Sequence, residues 1–362
     1  MNVLKTLLYN KLLAFGMFLA FSLQLQAQDI HHSQFYNAPH SLSPALTGIY
    51  DGDMRFVGNF RSQWFNDALI PYNTGYGAFD MKLISRQRRL QNIFDGTQAA
   101  SFFSIGGLLS FDHAGDSKMG TTQLALNGSY TRQIAKRQFI SAGLQLSGYQ
   151  RSFDDSDLRF DSQFDSKRFD SGLPTNENFE DKNIIYGDFS LGLNWHFNKG
   201  RNRTRIDIGG AVYHINEPER NFQDEDDTVH PRKWSIYGLG VFPVAKKLDV
   251  IVNATGMYQG PYTKHVLYGG GRIHLDTRAT REKALQLGLG YRFNSDGFGT
   301  GDAFYPAAQL HLKNWIFGLS YDINVSDFDV ATGNVGGPEL SVIYVFKSVP
   351  AIDFCPTCPT YL

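Results

Sequence analysis

Between Ala284 and Phe293 every second residue is bulky and apolar. Leu285, Leu287, Leu289, Tyr291 and Phe293 share one face, and Gln286, Gly288, Gly290 and Arg292 share the other. A period of two marks a strand, because successive side chains point to opposite faces. The same split sets Phe189, Leu191, Leu193, Trp195 and Phe197 against Asp188, Ser190, Gly192, Asn194 and His196, and Trp315, Phe317, Leu319, Tyr321 and Ile323 against Ile316, Gly318, Ser320 and Asp322. A soluble sandwich also alternates, but its outward face is charged and rich in Lys and Glu. Here the second face is mostly Gly, Ser, Asn, Gln and isolated charges, which suits a wet lumen, with the bulky face toward lipid and aromatics at the interfaces. The chain therefore reads as all-β, a transmembrane outer-membrane β-barrel, with a soluble all-β protein as the alternative.

Such segments fall at about 54–64, 72–83, 101–114, 121–134, 138–153, 186–198, 203–215, 234–245, 248–259, 264–275, 283–294, 303–313, 315–324 and 337–346. These give about fourteen antiparallel strands, an even number as single-chain bacterial barrels require. Connections after even-numbered strands are mostly short, such as Ala135 to Arg137 and Ala245 to Lys247. Those after odd-numbered strands include Asp154 to Ile185 and Asn216 to Lys233. Short periplasmic turns alternating with longer outer loops place both termini in the periplasm. The exception is 84–100, where Leu90, Ile93 and Phe94 sit at helical spacing beside Arg86, Arg88 and Arg89.

The first 27 residues carry Lys5 and Lys11 before an apolar stretch from Leu12 to Leu25 and end in Gln26-Ala27. That order is a cleavable export signal, too short in its apolar part for a spanning helix. The expected organisation is a signal peptide at 1–27, a periplasmic N-terminal segment at 28–53, the barrel at 54–346 and a periplasmic C-terminal tail at 347–362. With 34 Lys and Arg against 35 Asp and Glu, two of the lysines in the leader, the mature chain is slightly acidic, which predicts no nucleic-acid partner. Pro39 and Pro44 remove ladder donors and keep the polar segment 28–50 from being a lipid-facing strand. It either enters the barrel as a partial plug or lies beneath it.

Motifs that carry chemistry are sparse. Cys355 and Cys358 have Cys-x-x-Cys spacing without a second pair, which reads as a periplasmic disulfide or two idle thiols. His31-His32 reads as a solvated pair, and the acidic run from Asp224 to Asp227 lacks the spacing of a calcium loop. Phe153, Phe160, Phe164 and Phe169 each precede an Asp in one long loop, which suits a fold over the barrel mouth or a protein-contacting surface. Gly269-Gly270-Gly271 lies inside a strand, so it forms no phosphate loop, and no Gly-x-Ser-x-Gly elbow occurs. We expect no catalytic, cofactor or metal site.

Ser33-Gln34-Phe35 is followed by Ser43-Pro44-Ala45 with Gly48, and then by a strand carrying Arg61-Ser62-Gln63-Trp64. This resembles the PorP/SprF family of the Bacteroidetes type IX secretion system, whose members open with S-Q-(Y/F), N-P-A-x-x-G and R-N-Q-W. Ser43 and Ser62 stand where the family has Asn. At the far end, Gly336-Gly337-Pro338-Glu339-Leu340-Ser341 leads into Val342 to Phe346, similar to the family's closing strand, and Cys355-Pro356 resembles its C-P ending. The resemblance implies a non-enzymatic outer-membrane barrel. Its partners would be lipid and a secreted protein with a type IX C-terminal domain, anchored at the cell surface, or else periplasmic secretion and gliding components. Gln34, Phe35, Pro44, Ala45, Gly48, Arg61, Gln63 and Trp64 are then motif positions that contact a partner or a plug. Arg61 and Gln63 share a strand face with Arg55, Val57 and Asn59, which predicts that they face the lumen. A channel for small solutes is the alternative function, and a barrel hydrolase a third.

Overall fold

The computed structural model describes residues 29–63, 71–84, 101–115, 119–154, 158–165, 168–170, 172–175, 182–199, 203–220, 222, 229–276, 282–294, 301–326 and 335–347. The sheet is a closed barrel of fourteen strands, each antiparallel to the next. These are β1 (Met54–Gln63), β2 (Tyr72–Leu83), β3 (Ser101–Ala114), β4 (Met119–Ala135) and β5 (Gln138–Ser152), then β8 (Asn183–Asn198) to the closing β16 (Val335–Phe346). Between them come β9 (Arg205–Tyr213), β10 (Lys233–Ala245), β11 (Leu248–Gln259), β12 (Tyr262–Asp276), β13 (Lys283–Asn294), β14 (Gly301–Leu312) and β15 (Trp315–Asn324). The remaining pair, β6 (Phe164–Asp165) and β7 (Arg168–Phe169), forms a small ribbon in the loop after β5. Met54 pairs with both Met81 and Phe346, so β1 closes the cylinder and no edge is left.

The alternation read from the sequence sorts as expected. On β8, Leu191 and Leu193 are 50% and 63% exposed on the outer wall, whereas Ser190 and Asn194 are buried inside. On β15, Trp315, Phe317, Leu319, Tyr321 and Ile323 face out, and Ser320 and Asp322 face in. Aromatic groups gather near both rims of the outer wall. Trp315 packs on Phe317 and Tyr344 at one rim, and His265 packs on Tyr258 and Phe293 at the other. An apolar belt between aromatic girdles is the exterior that a bilayer demands of a barrel.

The two mouths differ. Tight turns at Lys136-Arg137, Lys246-Lys247 and Lys313-Asn314 lie at the mouth where β1 begins and β16 ends, and their basic side chains are exposed. The long β5–β8 and β9–β10 connections lie at the other mouth. The 85–100 connection, the acidic run 224–227, Trp64, Cys355 and Cys358 lie outside the described residues.

A fourteen-stranded barrel is wide enough to leave an interior that must be filled or wet. Here the N-terminal segment fills it. Three short turns, at Phe35–Asn37, Pro39–Leu42 and Pro44–Leu46, carry the chain through the lumen. Pro39 and Pro44 each open a turn, where the missing N–H costs nothing. The segment is anchored at one mouth by Asp29, whose N–H donates to Gln259 Oε1 at the end of β11. It leaves by the other, where Asp53 N–H reaches Phe346 O. The described ends of the chain, Asp29 and Lys347, therefore lie at opposite mouths. The reason is that the segment runs the length of the lumen before β1 turns back.

Candidate functional site

The luminal segment meets the barrel wall through charges carried on the small-residue faces of the strands. Glu339 on β16, fully buried, accepts Ser33 N–H through Oε2 at 2.7 Å and Gln34 N–H through Oε1 at 3.0 Å. Its Oε1 also accepts Asn59 Nδ2 from β1 at 3.1 Å. Next to it, Asp322 on β15 accepts Ser33 Oγ at 2.8 Å, Arg61 Nη2 at 2.6 Å and Arg292 Nη1 at 3.0 Å. Arg61 also donates Nη1 to His31 O at 2.9 Å, and its Nε lies 3.8 Å from Glu339. Nearer the basic mouth, Asp80 on β2 takes a two-pronged grip from Arg55, at 2.9 and 2.8 Å, and accepts Gly48 N–H at 2.7 Å. Paired and hydrogen-bonded charges of this kind are the form in which buried ions are tolerated.

The motif positions occupy this joint. Gln34 donates Nε2 to Ser320 Oγ and Glu339 O, and its Oε1 accepts Asn37 Nδ2 and Ser341 Oγ. Phe35 is buried in an apolar cluster with Leu42, Leu46, Tyr268 and Tyr305. Pro44 and Ala45 press against two strand glycines. A Cβ on Gly143 would lie 2.3 Å from Pro44 C, and one on Gly192 would lie 2.3 Å from Ser43 Oγ. Gly48 has φ +79° and no room for a Cβ beside Ser104, so both backbone and space demand glycine. Gln63 is half-buried at the long-loop mouth, beside Arg292, Asp302 and Asp322 in a separate cleft.

His31 and His32 are not solvated as the sequence suggested. His32 is 3% exposed and packs edge-on against Tyr76, and Lys264 Nζ lies 2.9 Å from His31 Nε2. Lumen closure, which a polar local sequence does not reveal, is the cause.

At the long-loop mouth the structure assembles a second cluster. Asp29 Oδ2 meets His214 Nε2 at 2.8 Å and Lys233 Nζ at 2.7 Å, and Oδ1 meets His230 Nε2 at 2.7 Å. His214 directly follows β9, and its Nδ1 lies 3.1 Å from Asp188 Oδ2 on β8. The two imidazoles stack with centroids 3.7 Å apart. Burial alone would raise the Asp29 carboxyl, but His214, Lys233 and His230 together hold it well below the usual carboxylate range. Burial opposes charge on His214, yet Asp29 and Asp188 outweigh it and raise that imidazole, whereas burial lowers His230. A cleft of about 120 Å³ opens beside the cluster, lined by Tyr149, Tyr186, Arg151 and Arg220 among others.

Sequence reasoning placed Arg61 at the lumen but did not find Asp80, Glu339, Asp29, His214 or His230. The available signal was a lone charge on an otherwise small strand face, as at Asp188, Arg292 and Asp322. No such signal marks the loop histidines.

A family model described as "Type IX secretion system membrane protein PorP/SprF" matches residues 24–344. No curated protein matches the chain. Among solved structures, the chain is similar to the CymD monoaromatic hydrocarbon channel at 10% identity and TM-score 0.48, over 85% of this chain and 92% of that one. A TodX deltaS2S3 mutant monoaromatic hydrocarbon channel matches at 9% identity and TM-score 0.46, over 85% and 94%. BamA from Haemophilus ducreyi lacking POTRA domains 1-3 matches at 10% identity and TM-score 0.38, over 81% and 70%.

Proposed function

Because the chain belongs to the PorP/SprF family of type IX secretion system membrane proteins, we propose that it is a non-enzymatic outer-membrane barrel that holds a secreted protein's C-terminal domain at the cell surface. The observation that carries this reading is the filled lumen. A solute channel needs a continuous wet path with weak, repeated binding along it. Here residues 32–35 and 42–50 are buried throughout, their backbone is gripped by Arg55, Arg205 and Glu339 from the walls, and Arg61 holds the adjoining His31 carbonyl. A rigid, occupied barrel suits a platform better than a conduit.

The long-loop mouth is the docking face in this reading. It presents the β6–β7 ribbon, on which Phe164 is 56% exposed and Arg159 lies over the ring of Phe169. Rigid aromatics that a monomer leaves in water are characteristic anchors of protein contacts. A second reading, a link to periplasmic secretion and gliding components, draws support from the exposed basic turns at the opposite mouth.

The test is affinity purification of the tagged barrel from outer membranes of its host, with an unrelated barrel as control. Stoichiometric recovery of a secreted protein through its C-terminal domain supports the anchor. Recovery of periplasmic components in its place supports the second reading, and enrichment of neither overturns both.

A further inference from the structure

We propose that Asp29, His214 and His230 form a zinc-class metal site that fastens the luminal segment to the loop between β9 and β10. The three residues come from separate parts of the chain, yet one ligand atom from each lies within 4.8 Å of the other two. Zinc bonds to imidazole nitrogen and carboxylate oxygen at about 2.0–2.2 Å, which spaces neighbouring ligand atoms by roughly 3.3 Å in a tetrahedral site. The Nε2 atoms of both histidines already converge on one carboxylate at 2.8 and 2.7 Å, so a small outward shift accommodates the ion.

The surroundings are those of a metal ligand set. His214 is fully buried, and its other ring nitrogen is held by the Asp188 carboxylate, the support that fixes the tautomer and orientation of ligating histidines. His214 also has φ +57°, a left-handed backbone that a non-glycine residue keeps when its surroundings over-determine it. Two carboxylates, Asp29 and Asp188, touch the two imidazoles, and the cations facing them are the Lys233 ammonium on Asp29 and the Arg220 guanidinium across the cleft. Lys233 reaches Asp29 through Oδ2, while Oδ1 takes His230 Nε2 at 2.7 Å and Gln259 Nε2 at 3.2 Å, so an ion on Oδ1 would replace the direct His230 contact. The adjacent cleft, which Asp29 and His230 line, has room for a water as fourth ligand. Two imidazoles with one carboxylate select a borderline divalent ion over calcium or magnesium, which take oxygen ligands.

The consequence is a metal staple at the outer end of the luminal segment. The wall network from Ser33 to Gly48 would then hold its body, and the ion would hold its tip.

The full-length protein, folded in detergent and stripped with EDTA, is titrated with Zn²⁺ and with Co²⁺, whose visible absorption reports coordination geometry. The expected result is one equivalent bound with a tetrahedral Co²⁺ spectrum and protection of the 29–48 segment from protease on Zn²⁺ addition. His230→Gln keeps a donor for Asp29 but loses the imidazole, and is expected to weaken Zn²⁺ binding at least 100-fold. Asp188→Asn, which removes support without removing a ligand, should weaken it about 10- to 100-fold. Heat-dependent gel migration verifies that each variant is folded. Equal Zn²⁺ binding by the wild type and His230→Gln, or no stoichiometric binding by the folded wild type, overturns the proposal.

Discussion

Replacing Arg61 with alanine tests the joint between lumen and wall most directly. Arg61 is 1% exposed and donates to Asp322 at 2.6 Å and to His31 O at 2.9 Å. Each hydrogen bond involving a charged group contributes about 1.5–3 kcal/mol, so the two together bracket about 3–6 kcal/mol. Breaking a buried ion pair by removing one partner costs about 3–5 kcal/mol, because the remaining charge is stranded. Arg292 still pairs with Asp322 at 3.0 Å, which moves the figure toward the lower end, about 3–4 kcal/mol. Glu339 is the group left exposed to the loss, since Arg61 Nε is its nearby cation at 3.8 Å. Arg61→Lys should fall about halfway, because an ammonium keeps the charge but cannot span three partners as a guanidinium fork does. E339Q alone is costly, because its amide NH2 would face one of the N–H groups that the carboxylate accepts, but the loss in the double variant R61A/E339Q should fall about 1–2 kcal/mol short of the sum of the two single losses. Denaturant unfolding in detergent, followed by tryptophan fluorescence and heat-dependent gel migration, gives these differences. If R61A unfolds within about 1 kcal/mol of the wild type and the single losses simply add in the double variant, the charges are not coupled as the geometry requires.

Gly143→Ala should displace the luminal segment, since its methyl would meet Pro44 backbone at 2.3 Å, whereas Gly148→Ala on the same strand meets nothing within 4 Å and should be neutral. Limited proteolysis of the segment separates the two. Leu126, 67% exposed at the middle of β4, should face hydrocarbon, so Leu126→Arg should cost about 2–4 kcal/mol of folding stability in vesicles. A cost near zero would mean that this wall does not meet lipid. Replacing residues 33–48 with a Gly/Ser linker of equal length should raise single-channel conductance in planar bilayers several-fold. Equal conductance would show that the segment does not obstruct the lumen.

Much of the barrel was legible because its cause is local. Lipid on one side and a lumen on the other impose a period of two on every strand, and the turn residues at Lys136-Arg137, Lys246-Lys247 and Lys313-Asn314 interrupt that period where the chain reverses. The inward face of Arg61 followed from the same alternation with Arg55, Val57 and Asn59. The sequence could not say what the inward faces touch. Gly143 and Gly192 read as small luminal residues, and the structure alone gives the reason, the passage of Ser43 to Ala45 against them. Ser33 and Glu339 lie 306 residues apart, and Asp29 lies 185 from His214 and 201 from His230. Barrel closure and strand register bring such groups together, and neither leaves a mark on the neighbouring residues. The alternation thus determined, from the sequence by itself, that the chain forms a barrel and which face of each strand meets lipid. The tertiary structure decided that the barrel is filled, which charges hold the filling, and that two loop histidines meet Asp29 at its outer end, because those contacts depend on where distant strands finish around a closed circumference.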